Sequence, residues 1–167
     1  SCLSVLAGGG QNLGFRWDNI MVNKQDIVGT WLLVTRGNSQ PADVKLSLER
    51  YGVSPQGMVI ISPDGWMNAS LCHGGRPPLT GDPVWHTDAP ESDRLKAYDT
   101  YISYGGQWRL EGEFFITKVE FALNPGWVGG EQKRRVALLP DGKMKLMLSR
   151  KWPDGARVES WVQWRRA

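Results

Sequence analysis

From Thr30 to the C-terminal end, short apolar or β-branched runs alternate with turn signals, the pattern of an antiparallel all-β domain. Thr30–Arg36 (TWLLVTR) is the first run. Gly57–Ser62 and Trp66–His73, joined through Pro63-Asp64-Gly65, read as a hairpin with Asp-Gly in its turn. Tyr101–Leu110 and Glu113–Leu123 form a second pair about Glu111-Gly112. Gln132–Leu139 and Lys143–Arg150 flank Pro140-Asp141-Gly142, and Pro153-Asp154-Gly155 leads into a last strand, Arg157–Arg165. Pro presets φ and Gly accepts positive φ, so the repeated Pro-Asp-Gly reflects turn chemistry and not an internal repeat. Eight successive antiparallel strands predict an up-and-down barrel just wide enough for one small molecule.

One segment breaks the alternation. Pro90–Thr100 (PESDRLKAYDT) predicts a short helix capped by Ser92 or Asp93, with Leu95 and Tyr98 on one side. Gly74–Ala89 before it is loop-like, and Asn38–Val44 is a second long connection. Together they are candidate lids, and a lidded barrel implies a ligand inside.

The facing of each strand then decides the chemistry of the interior. On the strand after Gly130, one face holds Gln132, Arg134, Val136 and Leu138; the other holds Glu131, Lys133, Arg135 and Ala137. The first face is the more apolar toward its end, which would put Gln132 and Arg134 inside. The alternative is a solvated basic patch, Lys133-Arg134-Arg135, and residue type alone favours it. On the preceding strand, Phe115, Val119, Phe121 and Leu123 alternate, which places Thr117 inside and Lys118 with Glu120 outside. The opposite phase would set Lys118 and Glu120 together in the pocket. His73 falls in phase with Met67, Ala69 and Leu71, at the barrel mouth.

Composition narrows the class. The 167 residues fit one domain, and no run of about 18 apolar residues occurs to span a membrane as a helix. A net charge of +3 is too small to imply a nucleic-acid or membrane partner. Two Cys, at positions 2 and 72, make no disulfide scaffold and point to a reducing, cytoplasmic setting. Residues 1–20, with a short apolar run and Gly8-Gly9-Gly10, read as an extension ahead of a domain spanning 21–167. A targeting segment is the rival reading. The nine Trp are the unusual payload, a core or cavity lined with large flat rings.

Several chemistries lack their residues. Two His and one Cys without close ligand spacing make no zinc site. No Gly-X-Ser-X-Gly elbow occurs, and Gly8-Gly9-Gly10 has no Lys-Ser/Thr after it to form a phosphate loop. The expectation is a protein working without metal or cofactor.

Val28-Gly29-Thr30-Trp31, Tyr104-Gly105-Gly106, Pro125-Gly126-Trp127-Val128-Gly129-Gly130-Glu131-Gln132-Lys133-Arg134 and the closing Trp164-Arg165-Arg166 follow one another in an order that resembles the lipocalin-like domain proteins of bacteria and fungi. The resemblance covers about residues 24–166 and implies an eight-stranded lipocalin-like barrel. It also implies that Trp31 plugs the floor and that a basic residue of the last strand packs on it. Many relatives carry a His pair where Ile116-Thr117-Lys118-Val119-Glu120 stands here, so a histidine acid–base role does not carry over. Some family members are recruited to natural-product cyclisation or isomerisation.

Two functions follow as expectations. The first is a cofactor-independent isomerase or cyclase for a hydrophobic, polyketide- or terpenoid-like molecule. Arg134, Gln132 and Tyr104 would polarise a carbonyl or stabilise an enolate, and Tyr101 or His73 would transfer protons. Trp66, Met67, Trp108, Thr117, Val119, Phe121 and Trp127 would line the ligand site. The alternative is a carrier needing the same cavity without tuned polar groups. Stacking on single-stranded nucleic acid is disfavoured by the low net charge, and a homodimer is left open.

Overall fold

The structure, a computed structural model, describes residues 21–38, 54–151, 155 and 157–167. The readings of residues 1–20, and of Asn38–Val44 beyond Asn38, lie outside them. A one-turn helix α1 (Lys24–Ile27) precedes β1 (Gly29–Asn38), β2 (Gln56–Ile61) and β3 (Trp66–Cys72). Helix α2 (Glu91–Asp99) separates β3 from β4 (Tyr101–Glu111), which is followed by β5 (Phe114–Ala122), β6 (Glu131–Leu138), β7 (Met144–Lys151) and β8 (Arg157–Arg166). Every strand pairs antiparallel with its chain neighbour, and β8 returns to β1, closing the barrel. No helix among the described residues is long and apolar enough to cross a membrane.

The tight turns β2–β3, β4–β5 and β6–β7 share one end, the floor; the longer connections share the other, the mouth. In the first of these turns the Ser62 N–H donates to Trp66 O at 2.8 Å, and Gly65 takes a φ of +96°. That backbone is one that glycine adopts without steric cost.

Trp31, almost fully buried, plugs the floor. Its Nε1–H donates to Ile27 O at 2.7 Å, which ties α1 under the barrel. Across the β1–β8 pairing, the Arg166 guanidinium lies 4.1 Å from the Trp31 ring and donates to the carbonyls of Asp26 and Val28. Charge-assisted bonds and a cation over an indole face are each worth about 1–3 kcal/mol where solvent is excluded, and less at this exposed end. Trp108 belongs to the same layer. It stacks on Phe115 at 5.6 Å and donates from Nε1 to Ser62 O at 2.9 Å.

Two bulges interrupt the alternation of facing. On β1, Leu33 pairs with Trp164 but Thr35 pairs with Gln163, which makes Val34 the extra residue. On β5, Phe121 pairs with Gly105 but Val119 with Gly106, which makes Glu120 extra. Beyond each bulge the two faces exchange. The second is wedged against a glycine: a Cβ on Gly106 would lie within van der Waals overlap of the Lys118 carbonyl and 3.0 Å from Glu120 N.

Helix α2 departs from its expected contacts. Neither Ser92 nor Asp93 caps it; Pro90 stands at the N-cap position. The Asp93 carboxylate instead accepts the Thr80 N–H at 2.9 Å, and Arg76 donates to Ala97 O at 3.0 Å and Thr100 Oγ1 at 3.1 Å. The loop before the helix is thereby tied to both of its ends. Leu95 and Tyr98 are exposed rather than turned onto the barrel.

Gly106→Ala should lower stability by about 3 kcal/mol or more, because backbone rather than a flexible side chain opposes the new methyl. A urea-unfolding midpoint equal to that of the unmodified protein would contradict this account of the bulge.

Candidate functional site

The inward rows of the strands enclose a cavity of about 690 Å³ between the floor layer and the mouth. Val59, Met67, Ala69, Leu146, Val162 and Trp164 form its apolar wall. Trp127 enters from the β5–β6 connection, where a short turn over Pro125–Trp127 is held by the Asn124 side chain accepting the Gly126 N–H at 2.9 Å. The Gly129 N–H donates to Val119 O and the Val119 N–H to Gly130 O, both at 2.9 Å, which fixes that connection to β5. This is the structural role of the Pro-Gly-Trp-Val-Gly-Gly run.

Arg134 lines the cavity, as the more apolar face of β6 predicts, and is not part of a solvated patch with Lys133 and Arg135. It donates from Nη2 to Gln132 Oε1 at 2.8 Å and from Nη1 to Lys133 O at 3.0 Å. Gln132 therefore touches Arg134 and is not itself on the cavity wall. Tyr104 stands on the wall with its ring edge-on to Trp127, the centroids 5.9 Å apart and the planes at 84°. Burial pushes the Tyr104 phenol above its ordinary value, and the positive charge of Arg134 offsets part of that rise. The phenol stays protonated at neutral pH.

The other expected site residues divide. Met67 and Trp127 are on the cavity wall. Thr117 and Val119 are buried inside the barrel but do not line the cavity, and Trp108 belongs to the floor. Trp66 is a correction: strict alternation with the buried Met67 turns it to the outer face, where it is 41% exposed. Phe121 is another, because the Glu120 bulge sends it outside, with its ring over Gly105, and turns Ala122 inward beside Tyr104. Tyr101 cannot join Tyr104 either. Three residues apart on one strand, they face opposite sides, and Arg76 covers the Tyr101 ring at 5.1 Å. His73 lies just past β3 at the rim, off the cavity wall; burial and the charges of Arg76 and Arg36 hold its pKa below the ordinary value. On β5, Lys118 and Glu120 are both exposed, as the phase with Thr117 inside requires.

Some wall residues escaped sequence reasoning. Arg36 reaches the cavity only because the Val34 bulge shifts β1 beyond Leu33, a signal the sequence does not carry. Arg150 could have been found, since Met144, Leu146, Leu148 and Arg150 form one alternating row.

Thr117 is fully buried, and its hydroxyl has no hydrogen-bond partner among the described residues. An unsatisfied buried hydroxyl costs about 1–3 kcal/mol, so Thr117→Val should raise the thermal midpoint; a fall would mean that the hydroxyl is used. The raised Tyr104 pKa has a signed consequence. Its contribution to stability is complete below the unfolded phenol value of about 10 and is lost as pH rises through the higher folded value. Tyr104→Phe should therefore flatten the alkaline fall of the unfolding midpoint; parallel curves for the two proteins would refute the assignment.

No curated relative matches the chain. The family model of the lipocalin-like domain matches residues 28–167, from the strand that carries the Trp31 plug through the closing β8. By that match, and by the closed eight-stranded barrel that accompanies it, the chain belongs to the lipocalin-like domain family.

Proposed function

We propose that the protein binds a small hydrophobic molecule inside the barrel, with an oxygen of that molecule held by Arg134 and Tyr104. One observation carries the reading. A cavity of about 690 Å³, walled largely by apolar side chains, also carries polar ones, Arg134 and Tyr104 among them. Its size falls within the range of about 300–1,000 Å³ typical of small-molecule sites, and a few convergent polar groups in an apolar pocket fix a ligand's orientation.

A second reading is cofactor-independent isomerisation or cyclisation of a polyketide- or terpenoid-like substrate. The position of Arg134 near a phenol kept protonated by burial favours it. A folded substrate would gain the orientation component of rate from the walls. Guanidinium and phenol donors aimed at one carbonyl oxygen would stabilise the negative charge that develops there. Gln132 would act as a positioning residue, holding the guanidinium through its 2.8 Å bond.

The test has two stages. The neutral fluorescent probe N-phenyl-1-naphthylamine should bind the protein, and Leu146→Trp, which pushes an indole into the cavity, should weaken that binding at least about tenfold. Undiminished binding to the variant would exclude the cavity as the site. Once native mass spectrometry of the purified protein has identified a co-purifying molecule, Arg134→Ala separates the two readings. Lost turnover with affinity held within about tenfold, roughly 1.4 kcal/mol, would establish catalysis; weakened binding alone would establish a carrier.

A further inference from the structure

The cavity is polarised along the barrel axis. Its deeper wall is apolar, from Val59 and Ala69 down to Trp164. Among the described residues, its mouth carries four cationic side chains, Arg36, Arg134, Arg150 and Lys151, against one carboxylate, Asp99 at the end of α2. These cations come from three strands, so the arrangement is not one basic stretch of sequence. Arg134 extends the inward row of β6 from Val136, and Arg150 extends that of β7 from Leu148. Arg36 faces inward by virtue of the Val34 bulge; unbroken alternation from Trp31 and Leu33 would have put it outside. A strand irregularity thus adds a guanidinium to a hydrophobic cavity. The β8 positions between them are small or apolar: Ser160 pairs with Asn38 and Leu148, and Val162 with Arg36 and Leu146.

From this placement we infer that the ligand is an anionic amphiphile, with a carboxylate or comparably acidic oxygen group at the mouth and its apolar body directed toward Trp164. The inference rests on the cavity being the ligand site and adds the ligand's charge and its orientation. Guanidinium groups pair with carboxylates through two parallel charge-assisted bonds, which an ammonium or a neutral head group cannot reproduce. The field of the mouth reaches the rim, where burial first, and then the charges of Arg76 and Arg36, hold the pKa of His73 below its ordinary value. A cationic head group would meet that field unfavourably, and a neutral one would gain little from it.

The experiment measures displacement of N-phenyl-1-naphthylamine by three amphiphiles of equal chain length: dodecanoate, dodecan-1-ol and dodecylammonium. Dodecanoate should bind at least about tenfold more tightly than the alcohol, with the ammonium weakest. Its advantage should shrink as salt is raised from about 0.05 to about 0.5 M, because Arg150 and Lys151 are exposed. Arg36→Ala/Arg150→Ala should bring the dodecanoate-to-dodecanol ratio of Kd values near unity. Far-UV circular dichroism verifies its fold, and the salt series on the unaltered protein tests the same point should the variant not fold. Equal affinities for the acid and the alcohol, or a preference indifferent to salt and to the double substitution, would overturn the anionic head group while leaving the cavity as a binding site. Failure of the probe and all three amphiphiles to bind would instead overturn the binding reading itself.

Discussion

The pairing of β8 with β1 is the contact on which the molecule depends. Until the last strand meets the first, the sheet has two open edges and no inside; once they meet, every strand has two neighbours. The seam is reinforced at its floor end. Trp31 and Arg166 are direct partners across it, and Arg166 also reaches the carbonyls of Asp26 and Val28. Closure, floor plug and the docking of α1 are therefore one set of interactions. Because the floor is sealed by tight turns and indole, the longer connections collect at the other end, where a ligand can enter.

Within that frame, the two bulges determine what the interior is made of. Each adds one residue to one strand, and each reverses the facing of everything nearer the mouth. On β1 the reversal brings Arg36 in. On β5 it takes Phe121 out and brings in Ala122, the pairing partner of Tyr104. Both lie in the mouth half of the barrel, so the floor half keeps plain alternation and dense packing. The floor supplies stability, and the irregular half supplies the cavity.

The excess of tryptophan has a different meaning in this light. Trp31 and Trp108 are floor residues, each spending its N–H on a carbonyl of a floor segment. Trp66 and Trp85 are exposed, and Trp161 packs outside against Gly37 beneath Lys145. Among the described tryptophans, only Trp127 and Trp164 line the cavity. The others belong to the floor or stand outside the barrel, and a ligand in the cavity would meet more aliphatic than aromatic surface.

Strand number and turn positions were legible in the sequence, because each follows from local rules, two-residue alternation and Asp-Gly turn geometry; the Trp31 plug was legible only through the resemblance to the lipocalin-like family. The placement of Arg134 was legible only in part: Val136 and Leu138 share its face, but its residue type favoured a solvated patch with Lys133 and Arg135. Tyr101 and Trp66 were open to the same argument, as alternation with Tyr104 and Met67 turns them outward. Arg36 and Phe121 were not. Their facing depends on bulges, and a bulge belongs to a pair of strands: it exists because the partner across the ladder holds a different register, here with Gly106 leaving space for the Lys118 carbonyl. The sequence by itself thus determined a barrel with a sealed floor. Only the tertiary structure, through register between strands distant in the chain, decided which side chains face the space inside.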